Sequence, residues 1–231
     1  VTGIGFDDLP ALTAEQMREV DRIMTEDLGI ELGRMMENAG AGLARLIRER
    51  YRPATATILA GSGGNGGGGL VAARHLANRG TAVFVTTSRS LDQMAPETRA
   101  QGEIALRMGI PFAEKPRPAD VVMDALVGYS LVGNPRGATA DLVRWANEQK
   151  APTISLDIPT GLDATTGEVA DPCVIADATL TLALPKAGLL GAGWVTGDVY
   201  LADLSVPSRV YAELGLDVDD PFQDGPLIRL A

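Results

Sequence analysis

The chain has 231 residues, 45% of them hydrophobic and 4% aromatic, with a formal net charge of −10. That is enough for one large α/β domain with a core of Ala, Val, Leu and Ile. The acidic balance argues against a nucleic-acid surface, which needs local positive charge, yet a dinucleotide held by a few backbone N–H groups or one cation is not excluded. There is no 18-residue apolar run and no signal-peptide pattern, so a soluble chain is expected with no membrane contact. The single cysteine, Cys173, rules out a disulfide within the chain and suits a reducing, cytoplasmic setting. The single histidine, His75, lies in a helical pattern, which makes a Ser-His-Asp triad a poor reading.

Leu12-Thr13-Ala14-Glu15-Gln16-Met17 reads as a helix start, with Thr13 as cap and Gln16 completing a capping box. Met17, Val20, Ile23 and Met24 then recur at helical spacing. A second helix is expected from about Ile30 to Ile47, where Gly40 and Gly42 weaken it or admit another backbone. Its polar pair Glu37-Asn38 stands among apolar residues and is expected to brace a neighbouring loop. A strand-like run Ala56–Ala60 leads into Gly61-Ser62-Gly63-Gly64-Asn65-Gly66-Gly67-Gly68-Gly69, seven glycines in nine residues, before a helix-like run Gly69–Arg79. A glycine loop between a strand and a helix points backbone N–H groups at a phosphate, aided by the helix dipole.

The alternation continues with strands at Ala82–Thr87, Val121–Val127, Thr153–Asp157, Ala178–Leu184 and Asp198–Leu204, and helices at Ala95–Met108 and Thr139–Gln149. Apolar strands separated by amphipathic helices indicate a mainly parallel sheet covered on both faces, a Rossmann-like three-layer αβα sandwich. One domain is expected over 1–231: N-terminal helices at about 12–51, an α/β core at about 55–205, and a Pro- and Asp-rich surface tail at about 206–231. In such sheets ligands bind beyond the carboxyl ends of the strands. The glycine loop, Asp124-Ala-Leu-Val-Gly128 and Asp157-Ile-Pro-Thr-Gly161 fall there. A carboxylate at a strand end is costly unless it binds a cation, a hydroxyl or a backbone cap. Lys186, after Thr181-Leu-Ala-Leu-Pro185, is placed to neutralise an anion in the same mouth.

Gly61-x-Gly63-x-x-Gly66 matches the dinucleotide fingerprint. The acid that holds a ribose is missing after the second strand, which ends Thr86-Thr87-Ser88-Arg89; Arg89 leaves an NADP-dependent oxidoreductase as one reading.

Taken in order, Met36-Glu37-Asn38-Ala39-Gly40, Gly61–Leu70, Asp124–Gly128, Asn134-Pro-Arg-Gly137, Asp157–Asp163 and Lys186-x-Gly188 resemble the NAD(P)H-hydrate epimerase family, with its YjeF N-terminal-like fold. The resemblance implies interconversion of the R and S forms of hydrated NADH and NADPH, coupled to an S-specific dehydratase, often in a homodimer. It implies one potassium ion per subunit, with Asn65, Asp124 and Thr160 as its ligands. The substrate would touch Gly64, Asn65, Gly66, Gly67 and Gly68, then Gly128, Tyr129, Ser130, Leu131, Val132, Gly133 and Asn134, and Asp157. Asp157 is the expected acid–base group, since epimerising a carbon that carries a hydroxyl beside a ring nitrogen requires proton transfers. The loop departs from the family's usual pattern at Gly64 and Gly68, where Asn and Asp are common, so a binding or scaffold protein on the same fold is the alternative. Tyr129-Ser130 stands where Thr-Gly is usual, and Thr160 where Ser is usual. A dehydratase domain is not part of the 231 residues.

Overall fold

The computed structural model describes residues 3–230. Helix α1 (Ala14–Arg22) starts where Thr13 caps it: the Gln16 N–H donates to the Thr13 hydroxyl, and the Gln16 side chain accepts from the Thr13 N–H. Its end widens into a π-turn over Ile23–Asp27, and α2 (Leu32–Arg50) follows. The strands are β1 (Gly3–Ile4), β2 (Thr55–Ala60), β3 (Ala82–Thr87), β4 (Val121–Ala125), β5 (Thr153–Leu156), β6 (Ala178–Leu182), β7 (Asp198–Ala202) and β8 (Leu227–Leu230). The remaining helices are α3 (Gly64–Ala77), α4 (Pro96–Arg107), α5 (Gly137–Asn147), α6 (Gly193–Thr196) and α7 (Ser208–Glu213).

The strands form one eight-stranded sheet in the order β1-β8-β7-β6-β5-β4-β2-β3, parallel except for the β7–β8 pair. Alternate strand residues feed two faces. Ala56, Ile58 and Met123 lie on the face that α3 covers, whereas Leu59 and Val122 pack under Leu142 and Val143 of α5. Burial on both faces explains why these strands are almost wholly apolar. The chain leaves β2 for the edge strand β3 and returns to β4 on the other side of β2. That reversal opens a crevice at the carboxyl ends of β2 and β4, where ligands collect in such sheets.

The α/β class matches the sequence reading, with three local differences. β4, β5, β6 and β7 stop at Ala125, Leu156, Leu182 and Ala202, each short of its expected end, so Leu126–Val127 and Asp157 belong to turns. The glycine run is not a loop throughout: from Gly64 onward it is the first turns of α3. This helix survives its glycines because α2 crosses it too closely for side chains. A Cβ on Gly40 would lie 2.5 Å from the Gly68 carbonyl and from Val71, and one on Gly69 would clash with Ala125. The stretch after residue 206 is more than a surface wrap. Leu227–Leu230 enter the sheet beside β7 and bury Leu227, Ile228 and Leu230, while Arg229 bonds Asp198 at 2.9 Å.

Candidate active-site cleft

A cleft of about 220 Å³ opens between the start of α3, the turns after β4 and β5, and helices α1 and α2. The glycine wall is braced from behind. The Gly61 N–H donates to the Ala125 carbonyl at 2.9 Å, and the Thr98 hydroxyl donates to the Gly63 carbonyl at 2.9 Å. First-turn N–H groups of a helix have no acceptor within the helix, and the dipole favours negative charge there. Gly64, Asn65 and Gly68 face the cleft. Gly66 and Gly67 do not: they press against the Gly61 carbonyl and Met36, where a Cβ has no room.

Asp157 forms the floor. It sits past the end of β5 with φ of +71°, its N–H donating to the Leu180 carbonyl at 2.7 Å. Asp tolerates this left-handed region better than most residues. Its Oδ2 accepts from the Tyr129 N–H at 2.7 Å, and its Oδ1 lies 2.6 Å from Lys186 Nζ. A Cβ on Gly128 would lie 2.5 Å from Oδ2, so only glycine fits there. Lys186 is 0% exposed and donates to the Leu182 carbonyl at 2.7 Å. Its backbone is pinned by a bridge to Leu12, just before α1. The lysine placed by sequence as a neutraliser of a bound anion is instead the counter-charge of Asp157.

Asp124 ends β4 in a different setting. Its Oδ1 accepts from the Thr160 hydroxyl at 2.7 Å and the Leu126 N–H at 3.2 Å. Its Oδ2 accepts from the Ser155 hydroxyl and the Thr160 N–H, both at 2.8 Å. Burial pushes its carboxyl above the usual carboxylate range, against the pull of these hydrogen bonds. The Thr160 hydroxyl also accepts from the Val127 N–H at 3.0 Å. Among the described residues the Asn65 side-chain Nδ2 is buried without a hydrogen-bond partner.

The segment Gly128–Asn134 is divided. Gly128, Tyr129 and Ser130 line the cleft, Val132 is 83% exposed, and Leu131, Gly133 and Asn134 line a separate recess against Gly161–Asp163. Asp21 on α1 is a cleft residue absent from the sequence reading; the Tyr129 hydroxyl donates to its Oδ2 at 2.6 Å. A signal existed, since Asp21 stands four residues from buried Met17 and next to buried Val20. Met35, Met36, Leu156, Leu182 and Leu204 make the rest of the lining apolar.

Glu37 braces a helix rather than a loop. It pairs with Arg74 and lies 2.7 Å from His75 Nε2, both on α3. His75, read from sequence only as a residue in a helical pattern, is thus a polar link between α2 and α3. Cys173 is buried, and burial pushes its thiol up to about 12, which keeps it unreactive. Arg89 is exposed beyond the end of β3.

An open α/β sheet with a helix N-terminus and a strand-end carboxylate, Asp157, at one crevice defines a Rossmann-like ligand-binding or catalytic domain. The profile of the family described as "YjeF-related protein N-terminus" matches residues 32–188, and the chain belongs to this family. A protein called NAD(P)H-hydrate epimerase from Dehalogenimonas lykanthroporepellens is 43% identical over 95% of this chain and 92% of its own. Another of that name from Rhodopirellula baltica is 36% identical over 90% of this chain and 89% of its own. A protein from Salinibacter ruber called bifunctional NAD(P)H-hydrate repair enzyme Nnr is 36% identical over 87% of this chain and 42% of its own. The crystal structure of the yeast protein ynu0 has the same fold, with a TM-score of 0.83 at 21% identity over 96% of this chain and 100% of that one.

Proposed function

We propose that this chain is an NAD(P)H-hydrate epimerase that interconverts the R and S forms of hydrated NADH and NADPH. The carrying observation is the Asp157–Lys186 ion pair on the floor of a cleft walled by a glycine-rich helix start. The names of relatives at 36–43% identity over nearly the whole chain support it. The cleft's 220 Å³ is below the roughly 300–1,000 Å³ of sites that enclose a drug-sized ligand. In this reading the hydrated ring enters, and the phosphates lie outside against the first turn of α3.

The hydrated ring carbon bears a hydroxyl and adjoins the ring nitrogen. Donation of the nitrogen lone pair expels the hydroxyl as water once it is protonated, leaving a planar carbon; water returning to the other face gives the other epimer. Asp157 is the base that takes a proton from the returning water. Lys186 and the Tyr129 N–H orient its carboxylate from behind. The apolar residues around them limit the number of waters that reach the planar carbon.

Asn65, Asp124 and Thr160 suit a hard cation such as potassium, which takes oxygen donors. Asn65 would offer its side-chain oxygen, not the buried Nδ2, which is a donor, and Asp124, buried among neutral donors only, would supply negative charge beside it. A potassium ion bound there supplies positive charge against Asp124 and the dinucleotide phosphates. The functional partner in this reading is an NAD(P)HX dehydratase specific for the S form. The bifunctional names of some relatives favour that coupling.

The test is to mix R-NADHX with an S-specific dehydratase and add the protein. Faster NADH recovery, lost in Asp157→Asn, is the expected result. Recovery no faster than spontaneous epimerisation overturns the proposal.

A further inference from the structure

Inverting a carbon by loss and return of water needs two proton-handling groups, one toward each face of the ring. Asp157 supplies one. A second carboxyl, that of Asp21, borders the same cleft. Tyr129 donates from both its ends: its backbone N–H to Asp157 Oδ2 at 2.7 Å, and its hydroxyl to Asp21 Oδ2 at 2.6 Å. One tyrosine therefore links the two carboxyl groups, and both border the cleft. We propose that Asp21, set in place by the Tyr129 hydroxyl, is the second acid–base group of this cleft and works opposite Asp157. This rests on the epimerase reading and adds a residue to it.

The groups facing Asp21 come from three elements besides its own helix. Tyr129 follows β4, Asp157 follows β5, and Lys186 follows β6. Burial is the largest influence and raises the Asp21 carboxyl; the Tyr129 hydrogen bond and Lys186 lower it, and Asp157 raises it. On α1 itself, Arg22 is engaged by Glu19 and Asp27, and Arg18 acts on Tyr129. A carboxyl whose hold on its proton is strengthened, beside one that is ion-paired, is the arrangement that separates acid from base in a two-carboxylate site.

In the R-to-S direction the Asp21 carboxyl proton passes to the substrate hydroxyl. The C–O bond breaks with its electron pair on the departing water, and the ring nitrogen lone pair forms a C=N bond. A water then forms the new C–O bond on the opposite face, the C=N pair returns to nitrogen, and the water's extra proton goes to Asp157. One water leaves and one enters. The one proton moved from Asp21 to Asp157 is returned through solvent in the open cleft.

The experiment measures kcat and KM against pH for R-NADHX with excess S-specific dehydratase, for the intact chain, Asp21→Asn and Tyr129→Phe. An acid must be protonated, so the wild-type rate falls on the basic side as Asp21 ionises. Asp21→Asn is expected to lower kcat by about 10²–10⁴-fold with KM little changed, and to abolish that basic limb. Tyr129→Phe removes a bond that favours the ionised carboxylate, so the limb moves to higher pH. An Asp21→Asn protein that keeps the wild-type rate, or loses rate while keeping the basic limb, overturns the inference and leaves the epimerase reading standing. If Asp21→Asn does not fold, Tyr129→Phe decides: an unmoved limb overturns the inference. A wild-type chain that does not accelerate epimerisation overturns both.

Discussion

Asp124 and Asp157 end neighbouring strands, are both buried, and are stabilised in opposite ways. Asp124 accepts four hydrogen bonds from neutral donors of Ser155, Thr160 and Leu126. Asp157 accepts one backbone N–H and is paired with a lysine that has no solvent exposure. A carboxylate that accepts hydrogen bonds from three residues is fixed in place and poorly suited to proton transfer. One held by an ammonium on one side and a cleft on the other can exchange a proton with what enters. Two acids that look alike in sequence thus divide into one that organises the β4–β5 turns and one that faces the cleft.

The sharpest break in that contrast is chemical. Asp157→Asn keeps a residue that tolerates positive φ and is expected to cut the epimerisation rate by about 10²–10⁴-fold, read by coupled NADH recovery. A change at Asp124 should act on stability first. The next largest effect is at Lys186. Lys186→Met leaves Asp157 as an uncompensated buried charge and should cost about 3–5 kcal/mol in a urea melt. The double variant Lys186→Met/Asp157→Asn removes both charges and should recover much of that loss without recovering activity. No recovery would mean that Lys186 stabilises by packing and by its bond to Leu182 instead.

Asp124→Asn replaces an acceptor by an amide that cannot accept from the Thr160 N–H or the Ser155 hydroxyl at one position. A loss of about 1–3 kcal/mol is expected, the cost of stranding a buried donor. If Asp124 is a potassium ligand, exchanging potassium for tetramethylammonium at constant ionic strength should lower the melting temperature of the wild-type chain and not of this variant. Away from both acids, Glu37→Gln weakens the partly exposed link to Arg74 and His75, for a loss below about 1 kcal/mol. A larger loss would make the α2–α3 link as important to the fold as the strand-end acids.

The regular core was readable because its physics is local. β3 spans Ala82–Thr87 as its alternation indicates, and the Thr13–Gln16 capping box forms as written. The glycine run read poorly, because glycine is a weak helix former in isolation. It packs so closely that a Cβ on Gly67, Gly68 or Gly69 would meet Met36, Leu156 or Ala125, contacts that only the fold brings together. The closing strand was hidden too: four residues after a Pro- and Asp-rich stretch become a strand only when β7 offers an edge. At the cleft, Asp157, Gly64, Asn65 and Tyr129 stood out through their motifs. Asp21 did not, because a single acid on an amphipathic helix has no motif until Tyr129 reaches it.

The sequence by itself determined the parallel α/β sheet, the end of it at which the cleft opens, and the acids at the ends of β4 and β5. These follow from periodicity and from the cost of ending an apolar strand on a charge. Only the tertiary structure decided what surrounds each acid. Lys186 lies 29 residues from Asp157 along the chain yet 2.6 Å away in space, and Asp21 and Tyr129 meet across 108 residues. Which donors surround a carboxylate depends on how strands are ordered and helices packed, and no local pattern records that. The same two residues, Asp124 and Asp157, are therefore legible as a pair from sequence and separable into their roles only in the fold.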